Sequence, residues 1–326
     1  MMRYLLAPLA EYTDAAFRRM CHEGGADLTY TEMVSAAALF HGSSPTRHLM
    51  ETMPGEGPVA CQIFGAEEEE VAFAAREASA LRDGDRRRFC EINLNAGCPM
   101  PRIIRSGCGA KLVTDPGRVY RLLKAMVGAT DLPVTLKTRL GPRIGDNTVF
   151  ELLDAAERAG ASGIIVHARY TSQMHGGPLG YDVLANVVSR AKIPVTGNGS
   201  IRTADDVRLM SETGVKSVMI GRGAFADPAI FARLKAEGRG EPPPPAPWER
   251  GPLATHLEYL LAFRRQLAER YPGDHVMSED AIASVKMHTH FIHYFKGVPG
   301  AAALRARLNA VRTLAEVRAI VASCAK

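Results

Sequence analysis

Nowhere in its 326 residues does the chain carry an apolar run long enough to cross a bilayer, which takes about 20 residues. Its first residues, MMRYLLAPLAEYTD, hold only a short apolar stretch, broken by Pro8 and closed by Glu11, which suits neither a secretory signal nor a transit peptide. The six cysteines, at 21, 61, 90, 98, 108 and 324, form no C-x-x-C pair, which argues against a zinc knuckle and against a disulfide scaffold. These absences predict a cytoplasmic globular protein with reduced, mostly buried cysteines and no membrane contact.

The net charge is a modest +5, but it is unevenly placed. Residues 246–326 carry eleven Lys and Arg against seven Asp and Glu, together with five of the ten histidines. Such a segment can approach a polyanion such as RNA by releasing its counterions, or can be an ordinary solvated helical surface. Just before it runs GRGEPPPPAPWERGP, whose four consecutive prolines (242–245) make a stiff, extended connector. Beyond, HLEYLLAFRRQLAERY, SEDAIASVKMHTHFIHYF and AAALRARLNAVRTLAEVRAIVASC have helical spacing and little β character. The expected organisation is a first domain over 1–238, a Pro-rich linker over 239–251 and a small all-helical domain over 252–326.

The first domain alternates between short β-branched or apolar runs and longer amphipathic segments. The strand candidates are RYLLA (3–7), DLTYT (27–31), PVACQIF (58–64), FCEINL (89–94), PVTLK (133–137), GIIVH (163–167), IPVTG (193–197) and SVMIG (217–221). Between them, helices are announced by Thr13-Asp14, by the acids from Glu67 and by Asp115-Pro116, while Gly160 and Gly214 suit C-caps. Eight strand–helix repeats with no second nucleotide-binding half predict an α/β fold of the closed (β/α)8 TIM-barrel kind rather than an open doubly wound sheet.

In such a barrel the active site lies at the carboxyl ends of the strands. There the sequence is polar: Ala7-Pro8-Leu9, Glu32, Gln62, Asn95 with Cys98, Lys137 with Arg139, His167 with Arg169, Asn198-Gly199 and Gly221-Arg222. GNGS after the seventh strand and GRG after the eighth can aim backbone N–H groups at a phosphate, with Arg222 adding a charged contact, or can merely shape tight turns. A phosphate together with Gln62, Lys137 and His167 fits flavin mononucleotide (FMN), and Lys137 could stabilise the charge that collects near N1–C2=O on reduction. Taken singly, Lys137 could be a Schiff-base former or a surface lysine, His167 a structural histidine, and Cys98, between Gly97 and Pro99, a small buried hydrophobe.

The pieces APLAEYTDAAFR, TEMVSA, QIFGA, INLNAGCP, VTLKTRLG, IIVHAR, PVTGNGSI and VMIGRGAFADP together resemble the tRNA-dihydrouridine synthase family, in family order, and VKMHTHFIHYFKGVPGAAALRARLN resembles its helical RNA-binding domain. The resemblance covers nearly the whole chain. It implies FMN-dependent reduction of the C5–C6 double bond of specific uridines in tRNA, driven by NADPH or NADH. It implies that Ala7, Pro8, Leu9, Gln62, Lys137, His167, Asn198, Gly199, Ser200, Gly221 and Arg222 hold FMN, that Cys98 is the proton donor, and that Asn95, with Arg139 and Arg169, holds the substrate. Such a reduction needs a hydride at C6 and a proton at C5, and a thiol with a pKa near ~8.5 is mostly protonated at neutral pH yet able to release its proton. The chain departs from the family pattern at Arg102 (usually Lys), Ser200 (more often Asp) and Lys111 (usually small). The expected partner is tRNA, no protein partner is implied, and a monomer is expected.

Other signals are discounted. Arg86-Arg87-Arg88 precedes the fourth strand, so it falls on the opposite, N-terminal face of the barrel and reads as a solvated loop. The histidines at 288, 290 and 293 do not share one helical face and have no acid or Cys to complete a metal set, so RNA contact or plain helix surface is expected of them and no metal is expected. Glu67 to Glu70 suit the positive end of a helix dipole. Two rival readings remain: a flavin-dependent reductase of a small unsaturated or pyrimidine substrate, and a non-catalytic RNA-binding protein.

Overall fold

The computed structural model describes residues 2–295 and 307–324, so residues 296–306, which include the start of the last helical stretch, lie outside it. Eight parallel strands form one sheet: β1 (Arg3–Leu6), β2 (Thr29–Tyr30), β3 (Val59–Phe64), β4 (Glu91–Ala96), β5 (Val134–Arg139), β6 (Gly163–His167), β7 (Val195–Asn198) and β8 (Ser217–Ile220). Their pairing order is β1-β8-β7-β6-β5-β4-β3-β2. A parallel bridge between Leu5 and Leu28, with the Leu6 N–H donating to the Leu28 carbonyl at 2.9 Å, closes the ring. The fold is a (β/α)8 barrel, and each of these eight strands overlaps one of the eight sequence candidates.

Strand period decides what enters the barrel. Leu5 and Ala7 of the first strand segment, Ala60 of β3, Ile165 of β6 and Met219 of β8 share an inner cluster, whereas Tyr4, Leu6, Cys61, Ile63, Ile92, Leu94, Leu136, Ile164, Val166, Val218 and Ile220 pack outward against the helices. By the same alternation Gln62, Asn93, Asn95, Lys137, Arg139, His167 and Asn198 fall on the inner face. Polar side chains at inward positions, in strands otherwise buried on both sides, are what a barrel with a functional mouth requires.

The surrounding helices start where the sequence signals them. Asp14 caps Ala15–Glu23 by accepting from the Phe17 N–H at 3.0 Å, Asp115 caps Pro116–Ala129 through Arg118 N–H at 2.9 Å, and Gly160 ends Val149–Ala159 with φ of 88°. Two short elements were not foreseen. Val34–Ser35 pairs with the end of β3, and Arg82–Asp83 pairs antiparallel with Arg86–Arg87. In this hairpin Arg86 and Arg87 are exposed as expected, but Arg88 turns inward and is buried, held by Glu51 and Asp83 at 2.9 Å each. The solvated-loop reading fails at that residue because Asp83 across the hairpin and Glu51, 37 residues away, both meet it.

After an exposed stretch without regular structure come the helices Gly251–Arg270, Glu279–Thr289 and Leu314–Cys324. Leu257, Leu260, Leu261, Met287, Phe291 and Val317 form an apolar cluster that also takes in Ala15 and Ala16 of the helix after β1. Polar contacts fasten the seam: Trp248 Nε1 and Tyr259 OH donate to Glu23 at 3.0 and 2.9 Å. His290 lies in this seam, fully buried among Tyr12, Phe17, His256 and Tyr294, which corrects the expectation of a surface residue. The helix ends at Thr289 and a 3-10 turn over Phe291–Phe295 follows, which changes the facing that helical spacing alone implies. No helix among the described residues is long and apolar enough to cross a membrane.

Candidate active site

A cavity of about 520 Å³ opens at the carboxyl ends of the strands, within the ~300–1,000 Å³ typical of ligand pockets. Its wall takes Ala7, Pro8 and Leu9 from the end of β1, Asn95 and Cys98 from β4 and its loop, Lys137 and Arg139 from β5, His167 and Arg169 from β6, Asn198, Gly199 and Ser200 from β7, and Gly221 and Arg222 after β8. Among the site residues expected from sequence, only Gln62 is absent from that wall.

Gln62 is fully buried beneath it and works through others. Its Nε2 donates to Asn93 Oδ1 at 2.7 Å, and its Oε1 accepts from Asn95 Nδ2 at 2.8 Å. Asn95 Oδ1 in turn accepts the backbone N–H groups of Gly97 and Cys98, both at 3.0 Å. Opposite, the Cys98 carbonyl accepts from Ala110 N–H at 2.9 Å. A relay of amides thus runs from inside the barrel to the turn that carries the thiol. It answers why a cysteine stands there on a rigid loop: both neighbouring peptide groups are fixed, so the direction of the side chain is fixed too.

The cavity wall is predominantly cationic, with Glu11 an acid along it. Lys137 Nζ donates to Asn198 Oδ1 at 3.1 Å, Arg139 to the carbonyls of Gly97 and Met174 at 2.7 and 2.8 Å, Arg169 to the Gly177 carbonyl and Ser200 Oγ at 2.8 Å each, and Arg222 to the His175 carbonyl at 3.1 Å. Every one of these partners is a neutral oxygen, and no ion pair joins the four cations to a carboxylate among the described residues. Burial, and then the Arg139 charge, brings the Lys137 ammonium down from 10.5 to about 7. Arg139 itself falls to about 10, again chiefly through burial. Burial and the Lys137 charge push His167 well below its usual 6.5, so it is a neutral imidazole at neutral pH. Buried cations without counter-charges are costly, and the cost is offset when an anion enters.

That donor set fits a phosphorylated, electron-accepting ring such as FMN. The glycine turns fit as well. Gly199 has φ of +141°, and a Cβ there would lie 2.7 Å from Leu179 and 3.2 Å from the His167 ring, so backbone alone occupies that corner. At Gly223 a Cβ would strike the Ile201 carbonyl at 2.5 Å. Ser200, where the family resemblance leads to the expectation of an acid, adopts φ of 52° and accepts from Arg169 through its neutral hydroxyl. Arg102 and Lys111, the other departures, are both exposed.

A family model described as dihydrouridine synthase (Dus) matches residues 5–326. The chain belongs to the dihydrouridine synthase family. The probable tRNA-dihydrouridine synthase of Treponema pallidum is 33% identical over 308 residues, covering 90% of this chain and 84% of that protein. tRNA-dihydrouridine synthase B of Xanthomonas campestris is 34% identical over 300 residues, 87% of each chain.

For this member of the dihydrouridine synthase family, sequence reasoning missed several residues of the wall: Tyr12, Met33, Met100, His175 and Phe225. Tyr12 lies only three residues beyond Leu9, and Met100 two beyond Cys98, so loop continuity could have found them. His175 sits well past the end of β6 in the MHGGP loop, where no strand-end signal reaches.

Proposed function

We propose that this oxidoreductase is an FMN-dependent tRNA-dihydrouridine synthase, reducing the C5–C6 double bond of specific uridines in tRNA with NADPH as the reductant. Lys137, His167, the backbone of Ala7-Pro8-Leu9, the Asn198-Gly199-Ser200 turn and Gly221-Arg222 would hold FMN, with Gln62 supporting from beneath through Asn95. FMN, when bound, supplies the electron pair that saturates the base. Asn95 orients the uracil, and Arg139 and Arg169 face the nucleotide's polar groups. Cys98 gives its Sγ proton to C5, and a negative charge left on that sulfur favours the charged forms of Lys137 and Arg139 beside it. The target uridine must leave its stack to reach a cavity within the barrel mouth. In this reading residues 1–238 form the catalytic barrel, 239–251 the linker and 252–326 the tRNA-binding domain of a cytoplasmic monomer.

The observation that carries the reading is a cavity in which a fixed thiol shares the wall with four cations that form no ion pair among the described residues. The test supplies the full chain with FMN, NADPH and unmodified tRNA transcripts, following NADPH oxidation and dihydrouridine by mass spectrometry. Dihydrouridine formation is expected. Reduction of free pyrimidines or small alkenes but not of tRNA would hand the site to the small-molecule reductase, and a colourless protein that binds RNA without oxidising NADPH would remove the catalytic reading altogether.

A further inference from the structure

Glu11 lies two residues beyond Leu9, in the loop leaving β1, and has φ of +71°. That left-handed conformation is uncommon for a side chain of this kind and persists where its surroundings hold it. Both of its backbone groups are held by charge. The Glu11 N–H donates to the Glu32 carboxylate, and the Glu11 carbonyl accepts from the Lys286 ammonium. Lys286 belongs to the helix Glu279–Thr289, is itself buried, and forms an ion pair with Asp14, the cap of the helix that follows. Burial pushes the Glu32 carboxyl up, and the Lys286 charge is the first influence that draws it back. The next residue, Tyr12, stacks on Phe225 with ring centroids 4.0 Å apart and 9° between the planes, and its hydroxyl donates to the Thr289 carbonyl at 3.3 Å. Tyr12 and Phe225 line the cavity, whereas Glu32 and Lys286 do not.

We propose that Glu32 and Lys286 are positioning residues: a carboxylate from the barrel and an ammonium from the helical domain clamp Glu11 in its left-handed turn, and thereby hold Ala7–Leu9 and Tyr12 in place as a wall of the cofactor pocket. The inference rests on reading that cavity as the FMN pocket. It makes the helical domain part of the cofactor site, in addition to any role in gripping RNA.

The test measures FMN affinity of flavin-stripped protein by quenching of flavin fluorescence, beside the thermal midpoint. Lys286→Met and Glu32→Gln each keep bulk and remove charge, and each should weaken FMN binding about tenfold, the scale expected when a strained turn is released. Lys286→Arg should restore much of the loss. Trp248→Phe, which removes a contact elsewhere in the same seam, should lower the midpoint and leave FMN affinity unchanged. Glu11→Gly provides the sharpest comparison, because glycine accepts the left-handed turn without strain; in that background Lys286→Met should cost less than it does in the parent chain. Should Lys286→Met not fold, Glu32→Gln, inside the barrel, carries the same test. Clamp variants that bind FMN as the parent does, a Trp248→Phe loss of equal size, or a Lys286→Met cost undiminished by Glu11→Gly would each overturn the proposal. Failure of the parent chain to bind FMN would instead remove the reading of the pocket.

Discussion

Replacing Lys137 with Met should stabilise the flavin-free protein while abolishing its turnover. The ammonium sits inside the barrel with Asn198 Oδ1 as its hydrogen-bond acceptor and an arginine beside it, and its pKa falls from 10.5 to about 7. A basic group whose folded pKa lies below its unfolded one binds fewer protons folded than unfolded between those two values, so its penalty is complete below about pH 7 and fades as pH rises toward 10.5. At about 1.36 kcal/mol per pH unit, the shift corresponds to a penalty of roughly 4–5 kcal/mol at pH 6.5 and roughly 3 kcal/mol at pH 8.5, as an upper bound. Urea melts of flavin-free parent and Lys137→Met at the two pH values isolate this difference, because every other titrating group is common to both proteins. The variant should be the more stable at pH 6.5 by several kcal/mol, with that advantage reduced by about 2 kcal/mol at pH 8.5. A variant that is less stable at pH 6.5, or one whose advantage does not shrink with rising pH, would show that the lysine is not an uncompensated buried cation.

Three further outcomes are expected. Cys98→Ala should keep its FMN and lose about 10²–10⁴ in turnover on tRNA, the usual worth of a positioned proton donor; normal turnover would rule the thiol out of that role. Gly199→Ala adds a Cβ 2.7 Å from Leu179 in a backbone conformation that disfavours side chains, so purified protein should carry less flavin per chain, seen in its visible absorbance, and lose roughly 1–3 kcal/mol of stability. Arg88→Met should cost about 3 kcal/mol in a denaturant melt, near the low end for breaking a buried pair because Arg270 still faces Glu51, and should leave catalysis on tRNA intact.

The barrel was legible because its signals are local. Apolar runs bounded by turns mark the strands, and alternation within them places Gln62, Asn95, Lys137, His167 and Asn198 on the inner face. What the sequence did not reveal depends on residues that meet only in space. Arg88 reads as part of a basic run until Glu51, 37 residues away, is seen beside it. His290 reads as helix surface until the turn after Thr289 rolls it into the seam. Gln62 reads as a cofactor ligand by its strand-end position, and its bonds to Asn93 and Asn95 appear only once β3 and β4 meet. The grip of Lys286 on Glu11 spans 275 residues and leaves no trace in either local pattern.

The pairing of β1 with β8 has a consequence for biosynthesis. Arg3–Leu6 is among the first segments to emerge from the ribosome, but the strand that covers its outer flank, Ser217–Ile220, is made more than two hundred residues later. Until then the nascent protein presents an unpaired, apolar strand edge, the kind of surface to which other chains adhere. Translation arrested before residue 217 should therefore yield sticky, chaperone-dependent fragments rather than a smaller working barrel.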